Sequence, residues 1–67
     1  MKDFTILYDY CLDKFILEPL DEDQVAEKYR GQLKPSQLEI CDSFVTDSND
    51  YAKAYYDGYW AAMRKGD

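Results

Sequence analysis

Apolar and polar residues fall into four blocks along the chain, separated by breaks at Glu18 and Pro19, at Lys34, Pro35 and Ser36, and across residues 46–50. From Asp3 to Leu17, Phe4, Leu7, Tyr8, Cys11, Leu12 and Phe15 recur at spacings of three and four. That spacing predicts a helix, with Asp3 as its cap. The opening FTILYDY also alternates well enough for a strand. No second convincing strand is visible to pair with it, and an isolated two-stranded unit is marginal. Ile6, Tyr10 and Leu17 fall on the back of the expected helix, which makes it apolar on two sides and so buried on two sides.

Proline at position 19 ends this segment, because the residue before a proline is pushed out of the helical region. From Leu20 to Gly31 the local signals are the strongest in the chain. Asp21 is a good N-cap, Gln24 completes a capping box, and Leu20 with Val25 matches a hydrophobic staple. Glu22 and Asp23 suit the positive end of the helix, and Arg30 with Gly31 suits its far end. Val25, Ala26 and Tyr29 form its inward face. A third helix is expected from Ser36, where Ser36 and Glu39 have the spacing of a second capping box. Leu38, Cys41, Phe44 and Val45 would line one face of it, with Ile40 beside them.

The last block, from Asp50 to Lys65, reads as the helix that organises the rest. Tyr51, Tyr55, Tyr59 and Ala62 share one side, widened by Ala52, Tyr56 and Met63, while Lys53, Asp57 and Arg64 lie opposite. Asp47, Ser48, Asn49 and Asp50 are all capping residue types, and Gly66 is the expected stop. Ala54, Gly58 and Ala62 form a row of small residues one turn apart. Glycine inside a helix costs about 1 kcal/mol against alanine, so the row calls for a packing reason. It either packs against the first helix or makes a seam between two copies of the chain. Trp60 projects on the charged side, either as a cover over the core edge or as an anchor for a partner. The expected fold is therefore all-α, a compact four-helix domain with two long and two short helices, spanning residues 1–67.

Composition narrows the function. The chain has 67 residues, 46% of them hydrophobic, which excludes a disordered polypeptide. It carries 14 acids against 8 bases, a net charge of −6, and all but two of the acids lie between Asp3 and Asp50. Nucleic acid and anionic membranes both demand a basic footprint, so direct binding to either is disfavoured and a basic protein surface is the expected partner. No apolar run suggests a leader or a membrane span. Cys11 and Cys41 have neither metal nor redox spacing, and both are expected to be buried free thiols in a reducing cytoplasm.

Candidate chemistry is sparse. The chain has no histidine, the commonest general base and transition-metal ligand. There is no glycine-rich phosphate loop. The stretch from Asp47 to Gly58 resembles a calcium loop only superficially, since Ala52 and Gly58 stand where such a loop needs glycine and glutamate. No catalytic, cofactor or metal residue is assigned, and the protein is not expected to be an enzyme.

The acids that remain suggest a docking surface. On a helix, Asp9 and Asp13 would sit about 6 Å apart along the axis, close to the roughly 6.8 Å rise of two steps along a DNA strand. Glu18, Asp21, Glu22, Asp23 and Glu27 would extend the negative charge, with Tyr56 and Trp60 as anchors. In size and charge, the chain resembles the small acidic inhibitors that phages direct against host nucleic-acid enzymes, among them anti-restriction and anti-CRISPR proteins. No motif carries that likeness, so it transfers no functional residues. It implies a nucleic-acid mimic. The alternative is a homodimer or adaptor built on the tyrosine-rich helix and the Ala54, Gly58, Ala62 row, with the charge serving solubility.

Overall fold

The computed structural model describes the backbone of residues 1–65 and the side chains as far as Met63. Gly66, the expected helix stop, and the side chain of Arg64 lie outside the described residues. The architecture is α+β and overturns the all-α, four-helix expectation: 35% is helix and 35% strand. The elements run β1 (Lys2–Asp9), β2 (Lys14–Glu18), α1 (Glu22–Lys28), β3 (Leu38–Thr46) and α2 (Asn49–Lys65). The strands form one antiparallel sheet in the order β2-β1-β3.

The expected first helix is instead a hairpin. β1 and β2 pair from Thr5 opposite Glu18 to Asp9 opposite Lys14. The Asp9 carboxylate organises the turn by accepting from the N–H groups of Cys11 at 2.9 Å and Leu12 at 3.1 Å. Asp13 closes it at φ 55°, a left-handed conformation that aspartate tolerates. Phe4, Thr5, Ile6 and Leu7 are all buried because β1 is the central strand, covered on both faces. A doubly covered strand reads as a nearly continuous apolar run, and such a run satisfies three-four spacing by coincidence.

The expected third helix is also a strand. Ser36 caps nothing; the chain turns through hydrogen bonds from Lys34 N–H to the Gln32 carbonyl and from Gln37 N–H to the Lys34 carbonyl, both 2.9 Å. It then enters β3, where Ile40, Phe44, Val45 and Thr46 are strand-favouring types. The register with β1 shifts between Ile6, opposite Asp42, and Leu7, opposite Ile40. Cys41 is the extra residue, a β-bulge.

Pleating sorts the side chains. Phe4, Ile6 and Tyr8, with Phe15, Leu17, Phe44 and Asp42 opposite them, share one face. That face carries α2: Phe15 meets Tyr59 and Trp60 at ring-centroid distances of 5.5 and 5.3 Å, and Phe44 stacks on Tyr55 at 4.2 Å. Thr5 and Leu7 point to the other face, with Ile16, Glu18, Ile40 and Ser43. There the Thr5 hydroxyl donates to the Leu20 carbonyl at 2.8 Å, fixing the entry to α1.

The two helices sit where their local signals put them. In α1, Asp21 accepts from Gln24 N–H at 2.7 Å and Gln24 accepts from Asp21 N–H at 3.0 Å, so the capping box is complete. Val25 is fully buried, and Gly31 takes φ 82° just beyond the helix. The helix is 7 residues long, shorter than the Leu20 to Gly31 span of its signals. α2 is capped by Ser48, whose hydroxyl accepts from Tyr51 N–H at 3.1 Å.

Substituting the central strand tests this arrangement. Ile6→Val should cost about 0.5–1.5 kcal/mol in urea unfolding. Val45→Ala, at a side chain 51% exposed, should stay within about 0.5 kcal/mol. Equal costs at the two positions would contradict a core centred on β1.

Candidate interaction surface

Several of the acids expected to face a partner are instead fixed in the fold. Asp9 holds the hairpin turn, and with Lys14 as the cross-strand neighbour of Asp9 the helical spacing of Asp9 and Asp13 does not exist. Glu18 is only 7% exposed. It accepts from Lys28 Nζ at 2.7 Å and from the Tyr29 hydroxyl. Burial opposes its charge, but these two hydrogen bonds and the Lys28 charge outweigh that and hold its pKa below the ordinary carboxylate value. Asp21 is the α1 cap. Glu27 is exposed and receives a forked contact from Arg30, 3.0 Å to each oxygen. Asp13, Glu22 and Asp23 are the exposed remainder.

The expected aromatic anchors do structural duty. The Tyr56 hydroxyl donates to the Phe15 carbonyl at 2.7 Å, tying α2 to β2. Trp60 meets the Phe15 ring edge-on and is half-buried, so it covers the core edge over β2. Both cysteines are free and, against expectation, exposed.

A different set of side chains converges beside β3. The bulge at Cys41 brings Glu39 and Asp42, three apart in sequence, onto the same face as Tyr8 and Ile6 of β1. Asp42 accepts from the hydroxyls of Tyr55 at 2.5 Å and Tyr59 at 2.9 Å, and from Ser43 N–H at 2.8 Å. The Tyr55 and Tyr59 bonds, with that amide, draw the Asp42 pKa below the usual range. Glu39 accepts from the Tyr10 hydroxyl at 2.6 Å. The counterpart is seen on the phenols. Burial first, then the Asp42 hydrogen bond, pushes Tyr59 up to about 12. Burial and Glu18 do the same to Tyr29, also to about 12. The Cys41 thiol is raised by partial burial and by the Glu39 and Asp42 charges, which disfavours thiolate chemistry.

α2 adds a shallow groove to this strip. Ala54, Gly58 and Ala62 are exposed, and Tyr55 and Tyr59 wall the groove above them, with a volume of about 310 Å³. A methyl group added at Gly58 would meet nothing within 4 Å. The row therefore does not pack against the first segment, and the intramolecular explanation for it falls. On the helical wheel it lies on the flank that overhangs β3, since Tyr51 and Tyr55 cover Phe44 while Trp60 covers Phe15 on the opposite flank.

Chemically the strip is acidic and aromatic. It offers two carboxylates beside phenol rings, a combination that suits guanidinium or ammonium groups. Among the described residues no cluster of three or more acids, cysteines or histidines is placed to hold a metal, and no helix is long and apolar enough to cross a membrane. No family model matches the chain, and comparison with characterised proteins and with solved structures returns no match.

Sequence patterning missed the strip because Glu39 and Asp42 share a face only through the bulge. The one available signal was the recurrence of tyrosine next to acid in a chain with seven tyrosines.

Spectrophotometric titration checks these bonds. Tyr29 and Tyr59 should ionise near pH 12. Asp42→Asn should bring Tyr59 to a lower pH and leave Tyr29 in place. Because phenol pKa values are raised on folding, their contribution to stability is present below about pH 10 and is lost as pH climbs toward 12. For Glu18 and Asp42, lowered on folding, the contribution is present above the ordinary values of 4.5 and 3.8 and is lost as pH falls below them. Ionisation of Tyr29 and Tyr59 near pH 10 would contradict the hydrogen bonds.

Proposed function

We infer that this protein is a non-enzymatic interaction module that docks on the basic surface of a nucleic-acid-handling protein and occludes it. The observation that carries this reading is the Glu39, Asp42, Tyr55 and Tyr59 strip beside the open groove on α2. Asp42, held in the charged state, and Glu39, with aromatic faces next to them, supply both attraction and contact area for arginine or lysine. The exposed Asp13, Glu22 and Asp23 add to a net charge of −6 that steers approach. The Asp9 and Asp13 phosphate spacing plays no part, because those residues flank a turn.

The test is capture from a cell lysate on immobilised protein, eluted with salt, followed by competition with duplex DNA and with RNA. Binding should weaken steeply as the Debye length shrinks from about 30 Å at 0.01 M to about 10 Å at 0.1 M. Glu39→Gln together with Asp42→Asn should release the partner at lower salt. Capture that is indifferent to salt and to both substitutions would overturn the reading.

One observation favours a second reading, a homodimer or adaptor: Gly58 is exposed with open space above it. Gly58→Ala should stabilise the monomer by about 0.5–1 kcal/mol, because it improves the helix without a clash. Gly58→Leu should then separate folding from assembly. If sedimentation shows a dimer that Gly58→Leu dissociates while the fold persists, the seam is real; a monomer before and after the substitution removes it.

A further inference from the structure

The two edges of the sheet are unequal. β2 has only 5 residues, begins at Lys14 and is followed by Pro19. Short length, lysine and proline are the features that keep an edge from recruiting another strand. β3 has 9 residues and contains no lysine, arginine or proline. It pairs with β1 on one side, and among the described residues no strand pairs with the other. Beyond the bulge at Cys41, residues 42–46 form its regular stretch.

Resting on the reading of the strip as a surface for cations, we propose that the outer edge of β3 takes an extended basic segment of the partner as a fourth strand. Strand addition uses main-chain hydrogen bonds for affinity and sends alternate side chains to each face. Those sent to the α2 face arrive beside Glu39, Asp42 and the rings of Tyr55 and Tyr59. Arginine suits that place best, because its planar guanidinium both forks onto a carboxylate and stacks on a ring. The groove over Gly58 gives its long stem room. Side chains sent to the other face meet Ser43 and Val45, uncharged residues of β3, with Asp3 of β1 opposite Val45. The occupant is therefore a segment with arginine at every second position and small or β-branched residues between.

A second copy of the chain fits this edge poorly. Antiparallel pairing of β3 with itself would put the Glu39 and Asp42 carboxylates of both copies on one face, and in registers centred near Asp42 like charges would stand across the two strands, which is destabilising. A basic segment reverses the sign of that interaction.

Nuclear magnetic resonance titration of isotope-labelled protein tests the proposal. The probe is a short peptide alternating arginine and threonine. The control has the same composition with its arginines in one block. The alternating peptide should shift the amides of residues 42–46 and bind about tenfold tighter than the block peptide. N-methylation of one alternate set of its amides should abolish binding, and methylation of the other set should not. Glu39→Gln with Asp42→Asn, checked for an intact spectrum, should weaken binding about tenfold. Shifts centred on Glu22 and Asp23, equal binding of the two peptides, or indifference to methylation would overturn strand addition while leaving a basic partner in place. Concentration-dependent shifts of residues 42–46 without peptide would give the edge to a second copy and overturn it. Failure of both peptides together with salt-insensitive capture from lysate would remove the strand and the basic partner alike.

Discussion

Double burial of β1 is the constraint on which the rest of this small structure depends. Thr5, Ile6 and Leu7 are 0% exposed and Phe4 only 6%. A chain of 67 residues buries a modest share of its surface, so one strand sealed on both faces concentrates that burial where it is most effective. Each face then demands a cover. Ile6 and Phe4 require α2, and Leu7 with Thr5 requires α1 and the segment leading into it. The hairpin partner β2 pairs with β1 from Thr5 to Asp9 and the returning strand β3 pairs with it from Lys2 to Asp9, so β1 is flanked by a ladder on both sides from Thr5 onward.

Tyrosine makes the covers compatible with a polar, acidic chain. The ring of Tyr55 packs on Phe44 while its hydroxyl reaches Asp42, and Tyr29 reaches Glu18 in the same manner on the other face. Each contact joins apolar burial to a charge-assisted hydrogen bond. No buried side-chain nitrogen or oxygen lacks a partner among the described residues. The same economy creates the surface beside β3. Hydroxyls that anchor α2 also hold Asp42 ionised, so the contact that stabilises the fold leaves a negative centre between aromatic rings. The fold and the proposed interaction draw on one set of side chains there.

Local chemistry is what the residues make legible. Asp21 and Gln24 announce α1, and the tyrosine spacing from Tyr51 to Tyr59 announces α2, because caps and helical faces are encoded by residues a few positions apart. The sheet is hidden for the opposite reason. Phe4, Leu7, Tyr8 and Cys11 match a helical face, yet only pairing with residues 14–18 and 38–46 decides their conformation. That pairing lies outside any local window. Phe15, Ile16 and Leu17 pass for the end of a helix unless Asp9 is known to turn the chain. The Cys41 bulge is still less visible, since it exists only in the register between two strands. Of the acids expected to meet a partner, Glu18 shows the same limit: a charge next to a proline reads as surface, and it is tertiary contact with Lys28 and Tyr29 that buries it.

Native-state hydrogen exchange, resolved by residue, addresses the central strand directly. The amides of Phe4 to Leu7 should be the slowest in the protein and should open only with global unfolding. α2, held through side chains over one face, should open at lower free energy toward its C-terminal end. If the slowest amides instead lie in α2, while those of β1 exchange by local opening, the fold is organised around the helix and double burial of β1 is not its foundation.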